Sequence, residues 1–147
     1  MINPMPVIEA TETYPYTPEQ LWAVLSDLAS WHEWLVLHKQ WTSDINEELR
    51  KGSTFKAVAN VLNIPNAITW TIDSYQPPEH VAIDGVMLAT RIRLTLRLTP
   101  HPNETVLSVT LHLDSSLFDG PLAEPIMRVL DRDVRASLDN LRGRMSA

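Results

Sequence analysis

The stretch that most limits what this chain can become is its last helix, predicted from Gly120 to Arg142. Leu122, Ile126, Leu130, Val134, Leu138 and Leu141 follow one another at spacings of four and, once, three, which keeps a single apolar stripe along one helix side. Glu124, Arg128, Asp131, Arg132, Arg135, Asp139 and Arg142 take the opposite side. At about 1.5 Å per residue such a helix is roughly 35 Å long and crosses a whole small domain. Each stripe residue gains about 1.5–3 kcal/mol by leaving water, so the stripe needs a broad apolar partner. The residues before it read as strands, and a curved sheet is the natural partner. The expected class is α+β.

The 147 residues suit one domain with one sizeable core, spanning 1–147, and contain no internal repeat or linker. A formal charge of −6 argues against direct, sequence-independent binding to nucleic acid or anionic lipid. The absence of cysteine excludes disulfides, thiolate chemistry and Cys-type zinc sites. Met1 to Pro6 lack the charged and apolar regions of a signal peptide, and no apolar run reaches membrane-spanning length. A cytoplasmic protein, monomer or homodimer, is expected.

Val7 to Tyr14 alternates as a strand with Ile8, Ala10, Glu12 and Tyr14 on one face. Glu12 is either an acid aimed into the interior, able to serve as a base, or a solvated residue where the strand leaves the sheet. Thr17-Pro18-Glu19-Gln20 carries a helix N-cap, a proline at the first helical position and a capping box. Ser30 can cap a second short helix from Trp31 to about His38. Strands are expected over Lys39–Ile45, Ser53–Leu62, Ala67–Tyr75, Val81–Met87 (with Gly85 as a bulge), Arg91–Thr99 and Thr105–Asp114, and Asp44–Gly52 forms a long loop. Ile92, Leu94, Leu96 and Leu98 face inward. Arg91, Arg93 and Arg97 form the wet side of the same strand. Leu117-Phe118-Asp119-Gly120-Pro121 leads into the last helix.

Trp31, His32, Trp34, His38 and Trp41 crowd aromatic and imidazole groups into eleven residues. Two readings stand side by side. The tryptophans form a flat-walled rim for an apolar or aromatic ligand with His32, Glu33 or His38 as polar handles, or they plug one end of the sheet. His32 and His38 are six apart and share no helix face, and no acid joins them, so no metal site is expected. No nucleotide-binding, zinc-protease, serine-hydrolase or calcium motif occurs, and no cofactor is expected. Any catalysis must use isolated polar groups, with Glu12, His32 and Glu33 as the candidate bases.

The element order (a strand, two short helices, six strands and a long C-terminal helix) resembles the helix-grip fold of the START-like (SRPBCC, Bet v 1-like) superfamily. Thr17-Pro18-Glu19-Gln20-Leu21-Trp22, Trp70-Thr71-Ile72, Tyr75-Gln76-Pro77-Pro78 and Gly120-Pro121 carry the likeness. Asp27-Leu28-Ala29-Ser30-Trp31-His32-Glu33-Trp34-Leu35, followed by Trp41, Leu49 and Lys51-Gly52, is similar to an actinobacterial group among the polyketide cyclase/dehydrase and lipid-transport proteins. Some members of that group are named toxins of type II toxin–antitoxin systems.

The resemblance implies a seven-stranded curved antiparallel sheet around the last helix, enclosing an internal cavity for a lipid-like or polycyclic aromatic ligand. Trp31, Trp34, Trp41, Phe55, Ala57, Ala59, Trp70, Ile72, Leu94, Leu96, Leu107 and Val109 would line it, with Leu122, Ile126 and Leu130 from the helix. Ala57 and Ala59 are the most telling, since a sheet meant only to pack carries larger side chains. The alternatives are a toxin acting through a small antitoxin-like protein partner, with exposed tryptophans as its interface, and a cyclase- or dehydratase-like enzyme.

Overall fold

The structure, a computed structural model, describes residues 7–88, 90–115 and 120–146. In chain order the elements are β1 (Val7–Tyr14), α1 (Pro18–Leu25), a 3-10 turn at Leu28–Ser30, α2 (Trp31–Trp34), β2 (His38–Trp41), β3 (Thr54–Val61), β4 (Ile64–Gln76), β5 (His80–Met87), β6 (Thr90–His101), β7 (Glu104–Ser115) and α3 (Ala123–Met145). The seven strands form one antiparallel sheet in the order β1-β7-β6-β5-β4-β3-β2, so β1 and β2 are its edges. The sheet curls into a half-barrel and α3 lies against its concave face. This is the helix-grip arrangement.

Alternation decides which side of each strand faces α3. Phe55, Ala57 and Ala59 on β3, Ile68, Trp70 and Ile72 on β4, and Ile92 through Leu98 at every second position on β6 are all buried. The opposite faces carry Arg91, Arg93 and Arg97. Arg93 on β6 bridges Asp84 on the neighbouring β5 at 2.8 Å and Asp73 on β4, one strand further, at 3.1 Å, a wet-face ion network. The capping box at α1 forms as its residues dictate: Thr17 Oγ1 accepts from the Gln20 amide, and Gln20 Oε1 accepts from the Thr17 amide.

Several strand limits shift from expectation, β2 most (His38–Trp41) with β4 starting earlier at Ile64, and three further differences have a clear cause. The second short helix ends at Trp34, because the next residues are drawn out to join the sheet. The Val36 amide donates to Ser137 Oγ at 2.9 Å, and the Leu37 carbonyl accepts from the Asn60 amide at 2.7 Å. Gly85 is no bulge; it pairs in register with Trp70 and Ile92, and the irregularity in β4 falls between Ile72 and Ser74. A Cβ at Gly85 would lie 2.6 Å from Ile68 Cδ1 and 2.8 Å from the Trp70 ring, so close approach of side chains is what requires glycine there. Finally, α3 begins at Ala123 and runs to Met145, later at both ends than its apolar stripe suggests. Leu117-Phe118-Asp119 of the expected lead-in lies outside the described residues.

Candidate ligand cavity

Between the concave face and α3 lies a cavity of about 300 Å³. Its wall is apolar: Ala59 and Val61 from β3, Ile68 and Trp70 from β4, Met87 from β5, Ile92 and Leu94 from β6, Leu111 and Leu113 from β7, and Leu130 from α3. The β3–β4 tip, the β5–β6 tip and the end of β7 all lie at one end of the sheet, because consecutive strands alternate in direction. Leu88, at the second tip, lines the cavity and is fully exposed. The cavity therefore reaches the surface there.

Four polar side chains interrupt the wall: His38, Asn66, Thr90 and Ser115. Thr90 Oγ1 donates to Ser115 Oγ at 3.0 Å, and Asn66 Nδ2 donates to the Ile64 carbonyl at 2.9 Å. His38 opens β2 and is buried, 8% exposed. Its ring lies 4.5 Å from Trp41 and edge-on to Trp31 at 6.0 Å, centroid to centroid. Burial, with the neighbouring His32 charge adding, pushes its pKa down to about 4, so the ring is neutral near pH 7. No Asp, Glu, Lys or Arg is among the described lining residues. Among the described residues, no cluster of His, Asp or Glu could hold a metal ion.

The other end of the interior is filled. Trp31 Nε1 donates to the Leu25 carbonyl at 2.9 Å, Trp41 Nε1 to the Leu28 carbonyl at 2.7 Å, and Trp31 packs on Trp34 at 6.1 Å in an edge-on pair. Only a 40 Å³ void remains among Trp31, Trp41, Phe55, Ile72 and Leu96. Trp70 and Leu94 stand in the walls of both spaces and divide them.

The residues expected at the site thus separate. Ala59, Trp70, Leu94 and Leu130 line the large cavity, whereas Trp31, Trp41, Phe55, Ile72 and Leu96 surround the small void. Trp34 and Val109 border a still smaller gap of about 20 Å³. Ala57 and Leu107 are packed solid, at 1% and 0% exposure, and line none of these spaces. Ile126 is half-buried against the core, and Leu122 is 65% exposed because α3 starts only after it. Trp31 and Trp34 are buried and so form no exposed interface; Trp31 lines only the small void.

The three candidate bases lie elsewhere. Glu12 shares the inner face of β1 but sits under the C-terminal end of α3, 3.4 Å from Arg142. Glu33 pairs with Arg144 at 3.0 Å, and His32 is exposed. Val61, Ile68, Met87 and Leu88 were missed as lining residues. Val61, Met87 and Leu88 stand at the two hairpin tips and Ile68 on the inner face of β4 just beyond one of them, a placement that follows from strand direction.

Residues 5–146 match the family described as polyketide cyclase / dehydrase and lipid transport. Toxin Rv0910 of Mycobacterium tuberculosis is 35% identical over 127 residues, covering 86% of this chain and 88% of that one. Among solved structures, TTHA0849 from Thermus thermophilus superposes with a TM-score of 0.79 at 16% identity, covering 95% of this chain and 97% of that one. The Zhui aromatase/cyclase from Streptomyces sp. R1128 gives a TM-score of 0.76 at 16% identity, covering 97% and 94%. At those identities the structures speak for the fold alone. With a match over nearly its whole length, the chain belongs to the polyketide cyclase/dehydrase and lipid-transport family.

Proposed function

We propose that the protein binds one small, largely apolar molecule in the cavity beneath α3, as a cytoplasmic carrier or sensor of that molecule. The observation behind this reading is the 300 Å³ space itself, walled by aliphatic side chains and reaching the surface beside Leu88. That volume lies at the lower end of the range for ligand pockets, which suits a bicyclic or tricyclic molecule and not a two-chain phospholipid. A titration with the uncharged dye N-phenyl-1-naphthylamine or with naphthalene tests it, read by fluorescence and by native mass spectrometry. One molecule per chain is expected, and Ala59→Trp, which fills the space from β3, abolishes binding while the fold persists. Equal binding by the filled variant would overturn the reading.

A second reading rests on the 35% identity to a protein named a toxin. In it the chain inhibits growth and is neutralised by a small protein. The buried Trp31 and Trp34 cannot be the contact surface, so Ile64 and Leu88, exposed at the two hairpin tips, and Leu122, exposed just before α3, take that place. Growth arrest on induction, relieved by a co-expressed neighbour-encoded protein that co-purifies, supports it; indifference of growth removes it. A cyclase-like reaction has less behind it. His38 is the one titratable side chain of the described cavity wall, and no second group within it completes an acid–base pair.

A further inference from the structure

Of the polar side chains in the cavity wall, one is buried and yet makes no side-chain hydrogen bond among the described residues. Thr90 and Ser115 are joined to each other, and the Asn66 amide is held by the Ile64 carbonyl. The His38 ring is more than nine-tenths buried, lines the cavity, and has no hydrogen-bond partner for either nitrogen among the described residues. The nitrogens are not sealed off, since among the described residues the one fully buried side-chain polar atom without a partner is Trp34 Nε1; they are open to the cavity and free to bond what enters it. The ring is also held in place. Trp41 lies against it at 4.5 Å and Trp31 stands edge-on at 6.0 Å, while the His38 amide donates to the Leu35 carbonyl at 3.0 Å. Both flanking indoles are fixed in turn by their own N–H bonds to the Leu25 and Leu28 carbonyls. A side chain positioned by two anchored tryptophans is preorganised, and its hydrogen bond to a ligand costs little ordering entropy.

We infer that His38 is the recognition point of this cavity, and that its ligand is an uncharged, compact apolar molecule presenting a hydroxyl or carbonyl oxygen to the imidazole. This deepens the binding reading above and rests on it. A neutral imidazole offers one donor and one acceptor, which a hydroxyl can meet in either direction and a carbonyl in one. Anions are disfavoured by the rest of the wall. A carboxylate or phosphate entering this space would lose its hydration with no Lys or Arg among the described lining residues to replace it. Phenol-like and ketone-like molecules fit this chemistry; fatty-acid carboxylates do not.

The test uses three probes of one shape: naphthalene, 2-naphthol and 2-naphthoate, titrated at pH 7 into the full chain and followed by calorimetry. The wild type binds 2-naphthol about 3- to 10-fold more tightly than naphthalene, as one net hydrogen bond predicts. It binds 2-naphthoate at least 10-fold more weakly than 2-naphthol. His38→Phe keeps the ring packing between Trp31 and Trp41, so naphthalene affinity stays within about twofold while the preference for 2-naphthol disappears. His38→Gln, which restores a donor and an acceptor, recovers part of that preference. In the wild type, the imidazole ¹⁵N resonances of His38 shift on adding 2-naphthol and not on adding naphthalene, a readout independent of any variant's folding. An unchanged 2-naphthol preference in His38→Phe, silent His38 nitrogens, or 2-naphthoate binding as tightly as 2-naphthol would each overturn the inference. Failure of all three probes to bind the wild type would instead remove the cavity reading on which it stands.

Discussion

The two ends of α3 lie on the same sheet and are held in different ways. From residue 137 onward the helix is tied to its surroundings. Tyr14 Oη donates to the Leu138 carbonyl at 2.7 Å, Asn140 Nδ2 to the Trp34 carbonyl at 3.3 Å, and Tyr16 Oη to the Met145 carbonyl at 3.2 Å. Arg142 donates to the Thr13 carbonyl at 2.9 Å, lies over the Tyr14 ring and pairs with Glu12. Arg144 reaches Glu33. Toward its N-terminus, Arg128 pairs with Glu124 and Arg135 with Asp131, both within the helix itself. Among the described residues, every hydrogen bond from α3 to another element involves residue 137 or a later one. Beneath the tied end the interior is filled by Tyr14, Leu138 and Leu141; beneath the other lies the cavity. The cross-element hydrogen bonds are concentrated at one end and the opening at the other, so under the proposed binding function a ligand would enter away from the bonds that tie the helix down.

The largest test of this contrast removes a side chain from the tied end. Leu141 is fully buried, and Leu141→Ala is expected to cost about 2–5 kcal/mol in denaturant unfolding. In the same protein, amide exchange should be slow from Ser137 to Met145 and measurably faster from Ala123 to Leu130. Uniform protection along α3 would show that the two ends are not energetically distinct.

His38 gives the next effect, on the cavity side. Its folded-state pKa of about 4 lies below the ordinary 6.5 because burial penalises the charged ring. Above pH 6.5 both folded and unfolded chains hold it neutral, and stability is at its full value. As pH falls below 6.5 the unfolded chain takes the proton first, so stability declines, and it levels off below about pH 4. The whole change is about 3 kcal/mol. Carboxylates titrate in the same range, so the quantity to measure is the difference between wild type and His38→Phe. That difference should shift in the variant's favour between pH 6.5 and 4. A difference independent of pH would mean the ring is solvated in the folded state.

Much of this architecture was legible in the sequence, and the line between legible and illegible is physical. The α3 stripe, the alternation of β6 and β7 and the α1 capping box are local patterns, and the structure repeats them. What occupies the interior depends on which side chains meet across strands. Ala57 and Ala59 look equivalent in the sequence, each a small residue on the inner face of β3. In the sheet Ala57 pairs with Trp41, and the space is filled; Ala59 pairs with His38 on one side and Asn66 on the other, and the space stays open. That difference rests on a β2 register containing an irregularity between His38 and Gln40, which no periodicity reveals. Glu12 shows the same limit. Its face on β1 was predictable, but whether α3 sets an apolar residue or Arg142 opposite it was not.

The division between filled and open space can be tested at its partition. Trp70 separates the 300 Å³ cavity from the 40 Å³ void, and its ring lies over Gly85. Gly85→Ala places a methyl group inside contact distance of both Ile68 and Trp70, and overpacking of this kind costs about 1–3 kcal/mol. Trp70→Ala removes the partition, and the variant should accept tetracyclic hydrocarbons that the wild type binds weakly. If the wild type already takes the larger probes equally well, Trp70 swings aside in solution and the two spaces behave as one.

The smallest expected effect lies at the open end and is informative for that reason. Leu122 is 65% exposed, just before α3, so Leu122→Ser should change stability by no more than about 0.5 kcal/mol. Leu141 and Leu122 belong to one apolar stripe in the sequence, yet their substitutions are expected to differ several-fold in cost, because only one of them has a sheet to pack against. The measurement is denaturant unfolding of Leu122→Ser at two protein concentrations. A small effect at both agrees with an uncovered mouth. A loss of more than about 1 kcal/mol confined to the higher concentration would mean that a second copy of the chain covers Leu122. The open end would then be closed by association, and its difference from the tied end would be a property of the isolated chain only.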